Sequence, residues 1–293
     1  MFTSTRISFV FKICLILWLG VPTSGNASER NYLGNGYWDS GKAEFQHLEG
    51  RIQQYGLDRE ARARLVLVKE PFDPNKRVKS LASDAVPVLK MHFFRHIPTG
   101  VYDYFQTATL FFDRRTGRVL KYTMSSQDGC GNTFMEYLYQ PGENHLFRYF
   151  SYFDDEGDSE TVLQDTDFIF YDALPLVLRY RLKDGDRYSL RLMESLIANK
   201  KQPLTLQTAA VRVSRFADSV RDGQSMPDAF LVTVQRENRE DRFFFEAAFP
   251  HRLIRWEKDN GDLLFQTAAD FFYYWNFTRP EHRDYMGKVQ GPE

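Results

Sequence analysis

Of the 293 residues only two are cysteine, Cys14 and Cys130, while 12 are proline and 18 glycine. So few cysteines exclude a disulfide-dense scaffold, and so little glycine excludes a collagen-like chain. Charge of one sign is also missing. The 38 Lys and Arg residues face 39 Asp and Glu, a formal net charge of -1. That balance exerts no field to draw the chain toward nucleic acid or anionic lipid, so no nucleic-acid partner is expected. Long apolar runs are absent. Ile13 to Val21 is a run of nine residues, where a membrane-crossing helix needs about 20. No later stretch is more apolar over a greater length.

The signatures of several reaction classes are missing too. The chain holds no G-x-S-x-G, no H-E-x-x-H, no phosphate-binding Walker loop and no C-x-x-C pair. Gly34-Asn35-Gly36 lacks the third glycine and the preceding strand of a dinucleotide site. Six histidines are scattered, and only His92 and His96 lie close together. On a strand that pair shares a face about 13 Å apart, too far for one metal. No catalytic residue, metal or cofactor is therefore expected, and the chain reads as a non-enzyme.

What is present begins with a leader. Arg6 and Lys12 precede the apolar run, Pro22 to Gly25 breaks it, and Gly25-Asn26-Ala27 supplies small residues for cleavage. Residues 1–27 read as a secretory signal peptide and residues 28–293 as a single β-rich domain. A periplasmic or secreted bacterial location follows, with no membrane span after cleavage. Cys130 is the one cysteine beyond that leader, which excludes an internal disulfide and suits a bacterial periplasm.

The domain is built of short β-branched and aromatic runs between turn residues. Strands are expected over Ala43 to Ile52, Arg62 to Lys69, Val86 to His96, Tyr102 to Phe112, Arg118 to Ser126, Thr133 to Tyr139 and Leu146 to Phe153. Five more follow at Arg187 to Leu196, Thr205 to Phe216, Ala229 to Arg236, Asp241 to Phe249 and Leu253 to Glu257, with a last at Leu263 to Trp275. Asn260-Gly261 between the last two is a hairpin signal in which both residues take positive φ. Asp167 to Tyr180 holds one short helix with Asp172 as its cap. Asp58 to Arg64 is too short to count as another. The expected fold is mainly β: a large curved antiparallel sheet or half-barrel with one or two short helices, or else a flat sandwich.

Aromatics are the excess: 26 Phe, 16 Tyr and 4 Trp. Phe93-Phe94, Phe243-Phe244-Phe245 and Phe271 to Trp275 place large apolar groups on both faces of a strand. Either the strands are covered on both sides by a thick core, or one face lines an apolar pocket. The functional reading takes the pocket, with Phe93, Phe244, Phe272 and Tyr274 as ligand-binding residues and a hydrophobic small molecule or lipid as partner. Two alternatives stay open. One is an envelope hydrolase using Cys130, which lies in Asp128-Gly129-Cys130-Gly131-Asn132, though flanking glycines equally suit a small buried thiol. The other is a protein-interaction module using a sheet edge. The acidic run Asp154 to Glu160 reads as a solvated hairpin tip.

Several segments carry a resemblance. Trp38 to Glu44, Tyr55-Gly56-Leu57-Asp58-Arg59-Glu60-Ala61, Leu65 to Phe72, Pro87-Val88-Leu89-Lys90 and Gln127 to Thr133 together resemble a family of uncharacterised secreted bacterial proteins. Its members sometimes carry the label septum formation inhibitor Maf. The likeness spans Trp38 to Leu138 and, more weakly, Pro250 to Asn276. The Ser-Pro-Arg-Arg motif of the Maf nucleotide pyrophosphatases is missing, because Asp84-Ala85 follow Ser80-Leu81-Ala82-Ser83. The ending His251 to Trp256, turn, Leu263 to Ala268 is similar to the last hairpin of periplasmic half-barrels of the lipoprotein-carrier type (LolA and LolB). That likeness implies a curved antiparallel sheet around an apolar cavity and supplies no catalytic residue.

Overall fold

The computed structural model describes residues 27–140, 144–164, 167–216, 219–221, 224–226 and 228–282. The expected signal peptide lies outside these residues apart from Ala27. The first half of the chain is a meander: β1 (Ala43–Gln54), β2 (Leu57–Asp73), β4 (Val86–Pro98), β5 (Asp103–Asp113), β6 (Val119–Gln127), β7 (Asn132–Gln140), β8 (Asn144–Ser151) and β9 (Ser159–Leu163). A two-residue strand, β3 (Val78–Lys79), pairs with β2 alone. The second half runs through β10 (Ile169–Phe170), β11 (Arg187–Met193), β12 (Leu206–Phe216), β15 (Ala229–Arg236), β16 (Arg239–Glu246), β17 (Leu253–Glu257) and β18 (Leu263–Phe272). Between β12 and β15 a separate hairpin forms from β13 (Ser219–Arg221) and β14 (Gln224–Met226).

β18 returns to pair antiparallel with β1, which fuses the halves into one 16-stranded sheet. A flat sandwich of two sheets is thereby excluded, and the fold is the mainly-β curved sheet expected. Its two edges, β9 and β10, are consecutive in the chain. The sheet bends until those edges approach. Phe168 and Phe170 pack against rings of β7 and β8, with Phe170 4.8 Å from Tyr137 and Phe168 5.1 Å from His145. Bulges at His47/Leu48, Phe111/Phe112 and Phe244/Phe245 add local twist to the bend. At Gly50 the walls are too close for a side chain, since a Cβ there would lie 2.0 Å from the Leu263 carbonyl oxygen.

Alternation decides what faces inward. On β4 the alternating buried set is Leu89, Met91, Phe93, Arg95 and Ile97, with Val88 also buried; on β5 it is Tyr104, Gln106, Ala108, Leu110 and Phe112, with Asp113 also buried. The concave space is then filled by the chain itself. A 3-10 turn (Tyr171–Ala173), the helix α2 (Leu174–Val177) and a second 3-10 turn (Leu178–Arg181) form a plug of almost wholly buried side chains. Pro175 in the first turn of α2 costs nothing, because that position has no intrahelical hydrogen bond to lose. Arg179 locks the plug to the wall. Its Nε donates to the Pro175 carbonyl at 2.8 Å, Nη1 to Glu44 Oε1 at 2.8 Å and Nη2 to Gln46 Oε1 at 3.1 Å.

One end of the curved sheet is closed by the helix α1 (Ala27–Leu33) and a 3-10 turn (Gly36–Ser40). Trp38 is fully buried there, and its Nε1 donates to the Tyr32 carbonyl at 3.0 Å. Arg114 ties this segment down by donating to the Leu33 carbonyl at 2.6 Å and to Asp39 Oδ1 at 2.8 Å. Hydrogen bonds from Arg114 and Lys69 hold the Asp39 carboxyl at about 2.

Two local expectations are corrected. Asp172 does not cap a helix. Its carboxylate instead accepts from the Tyr122 hydroxyl at 2.8 Å, the Ser195 hydroxyl at 2.6 Å and the Leu196 amide at 2.8 Å. At the β17–β18 hairpin only Gly261 takes positive φ (94°), and Asn260 does not. Gly261 N donates to the Lys258 carbonyl at 3.0 Å, so the loop is longer than a two-residue turn.

The plug carries the core, so shortening it should be costly. Leu176→Ala, at a site with no solvent exposure, is expected to lower unfolding free energy by about 2–5 kcal/mol in denaturant titration. A loss below about 1 kcal/mol would mean that the sheet stands without its filling.

Candidate functional site

At the end opposite α1, the chain from Glu194 to Thr205 forms a strap across the opening. Its ends are joined by Glu194 N donating to the Thr205 carbonyl at 3.0 Å. Along its length it is laced to the far wall. Arg95 Nη2 donates to the Ile197 carbonyl at 3.2 Å, Thr133 Oγ1 to the Asn199 carbonyl at 2.6 Å, and Lys201 N to Glu156 Oε2 at 2.9 Å. The strap and the strand ends border an open cavity of ≈ 510 Å³, within the usual volume range for small-molecule sites.

Its lining is polar and charged. Asp241 is almost fully buried and accepts from the Tyr171 hydroxyl at 2.5 Å and the Asp259 amide at 3.0 Å. Arg236 completes the set, bonding Asp241 through Nη2 and Glu194 through Nη1 at 3.0 Å. Burial and the adjoining Asp241 charge push the Tyr171 hydroxyl well above its ordinary pKa, so it remains a donor. Lys258 lies 5.1 Å from the Trp256 ring centre and 5.3 Å from that of Tyr171, with Asp262 Oδ2 at 3.4 Å. Burial lowers the Lys258 pKa, and Asp262 opposes that shift. Arg95 also lines the cavity, its Nε donating to Gln106 Oε1 at 2.6 Å, and burial lowers its pKa. The chemistry on offer is hydrogen bonding and charge complementarity. Among the described residues no cluster of three metal-ligating side chains occurs.

The four aromatics nominated from sequence do not converge on one site. Phe93 faces the concave core, 5.9 Å from Trp256. Phe244 points the opposite way, into a small convex patch with Ala229 and Ile254. Phe272 and Tyr274 pack around Phe45, which joins Tyr274 in another patch with Ala43, Val66 and Val68. The single apolar pocket expected from them is corrected for a plain reason: alternation sends neighbouring rings to opposite faces, and the plug fills the concave one. Cys130 is exposed rather than buried, in a turn where its amide donates to Asp128 Oδ1 at 2.6 Å. Among the described residues no histidine is hydrogen-bonded to its thiol.

His92 and His96 share the convex face, each occupied locally. His92 Nδ1 lies 2.8 Å from Thr109 Oγ1, and His96 Nε2 lies 2.7 Å from Asp103 Oδ2. His47, Arg64, Phe94, His96 and Phe105 border a second, smaller cavity of ≈ 380 Å³ on that face.

Sequence reasoning missed Arg95, Arg236, Asp241, Lys258 and Asp262. A signal existed for the first three. Arg95 is in step with Met91 and Phe93, Arg236 with Val232 and Val234, and Asp241 with Phe243 and Phe245. Each is a charge on the apolar face of its strand.

The class defined by these features is a mainly-β protein with a self-filled concave sheet and a polar cavity at one end. No family model and no curated protein matches the chain, so the resemblances to the Maf-labelled family and to the lipoprotein carriers have no support from either comparison. Among solved structures, the chain is similar to a beta-barrel-like protein of domain of unknown function DUF1849 from Brucella abortus. The two share 10% identity at a TM-score of 0.44, over 79% of this chain and 97% of that one.

One titration separates folded from unfolded chain. Burial, reinforced by the Arg64 charge, lowers the His47 pKa from 6.5 to about 4. Between those values the unfolded chain takes up a proton that the folded chain refuses. Stability therefore falls as pH drops through that window. Denaturant titrations between pH 7 and pH 4.5 should find a shallower fall for His47→Gln than for the parent chain. Equal slopes would contradict the assignment.

Proposed function

We propose that this chain is a non-enzymatic binding protein of the bacterial cell envelope, exported to the periplasm or secreted, whose ligand occupies the cavity under the strap. Residues 1–27, with their signal-peptide pattern, support export. The observation that carries the binding role is the cavity itself: ligand-sized, and walled by Arg95, Arg236, Asp241 and Lys258 at the end of a sheet whose concave space is otherwise filled. Buried charge is expensive, and a packed β domain has no structural need to gather so much of it around an opening. The hydrophobic or lipid partner suggested by the aromatic count loses its support. Leu174, Leu176 and Leu178 take the space that an acyl group would need. A small polar molecule fits instead.

Ala198 lines the cavity from the strap. Native mass spectrometry of protein purified from its own host should find a small polar molecule bound to the parent chain and absent from Ala198→Trp, with thermal unfolding little changed. A chain that carries nothing, or that retains a long-chain lipid in both forms, contradicts the proposal.

A further inference from the structure

Five arginines are buried among the described residues: Arg95, Arg114, Arg179, Arg236 and Arg255. Four have a carboxylate within ion-pair distance. Arg114 meets Asp39 at 2.8 Å, Arg179 meets Glu44 at 2.8 Å, Arg236 meets Glu194 at 3.0 Å, and Arg255 meets Glu257 at 2.6 Å. Arg95 is the exception. It is 9% exposed, and its hydrogen bonds go to neutral acceptors, Gln106 Oε1 and the Ile197 carbonyl. Gln106 is itself held, its Nε2 donating to Ser126 Oγ at 3.0 Å. The guanidinium is thus fixed in orientation without being neutralised.

The acidic groups that act on Arg95 at longer range are Asp262 and Asp172. Both are engaged elsewhere. Asp262 accepts from the Gln53 amide at 2.8 Å and faces Lys258, while Asp172 holds Tyr122, Ser195 and Leu196. Lys258 is a second cation of the same cavity, and the Arg95 charge adds to the burial that lowers its pKa. A buried, oriented guanidinium that lacks a carboxylate and faces a ligand-sized cavity is an incomplete ion pair.

We propose that Arg95 anchors an anionic group of the bound molecule, a carboxylate or phosphate, with Lys258 as the second cation of that subsite. This rests on the cavity being the ligand site. The guanidinium fork presents paired donors to two oxygens of such a group, and the neutral Gln106–Ser126 relay keeps it aimed without competing for charge. The ligand class is accordingly a small polar acid.

Matched probes test this on the full chain. Ligand-observed NMR titration compares succinate with succinamide, and glycerol phosphate with glycerol. The acids should bind about tenfold or more tightly than their neutral partners, and Arg95→Gln should abolish that preference. The variant should also unfold at an equal or higher temperature, because an unpaired buried charge has gone. If Arg95→Gln fails to fold, the acid-to-neutral ratio of the parent chain still decides. Neutral probes binding as well as the acids would overturn the anion assignment and leave the cavity reading intact. Binding of no probe would overturn both.

Discussion

The buried contact between Arg179 and Glu44 is the constraint on which the rest of this structure depends. Neither side chain has any solvent exposure. Burial pushes the Glu44 carboxyl above its usual range, and the guanidinium opposes that push. Removing two ions from water is costly, so a buried pair is weak evidence of stability in itself. Its value here is positional. One side chain bonds the Pro175 carbonyl within the plug and both Glu44 and Gln46 on β1. β1 is also the strand where the two halves of the sheet meet, through β2 on one side and β18 on the other. The contact therefore registers the filling against the seam of the wall.

Once the plug is seated, the remaining space is determined. The side chains of the plug pack into the core on the concave face, and α1 with Trp38 closes one end. The strap-covered end keeps a sizeable opening, and Arg95, Glu194, Arg236, Asp241 and Lys258 are among the residues that line it. Tyr171 and Asp172 at the head of the plug bond Asp241 on one side and the strap on the other. The same segment that denies an interior site thus forms the floor of the polar one. An excess of aromatic residues that first suggests a lipid cavity is consumed as packing material: Phe170 among the β7 and β8 rings, Phe243 against Trp256, and Tyr32 against Tyr180.

Local pattern made much of the sheet legible. Ala229–Arg236 and Leu253–Glu257 form strands with the bounds expected from their alternation. Elsewhere non-local pairing overrode local signal. β2 begins at Leu57, well before the apolar run at Leu65, because charged residues from Asp58 to Arg64 pair with β1 and face solvent on alternate positions. β9 was invisible because Ser159–Leu163 is an exposed edge with no buried side chain, and β10 because two residues paired parallel to β11 carry no periodic signal. The plug was recognisable as short and helical, but its envelopment by the sheet is a tertiary fact. The site was half legible: period two placed Arg95 among apolar neighbours, yet nothing local indicated that it lacks the carboxylate its buried counterparts have.

The central claim, that a buried ion pair seats the plug, is tested most directly by a double-mutant cycle. Unfolding free energies would be compared for the parent chain, Arg179→Met, Glu44→Leu and the double variant. Each single change strands an unpaired buried charge and is expected to cost about 3–5 kcal/mol. The double variant should cost far less than their sum, because it strands none. Costs that add to within about 0.5 kcal/mol would contradict the coupling and with it the account of how the sheet is filled.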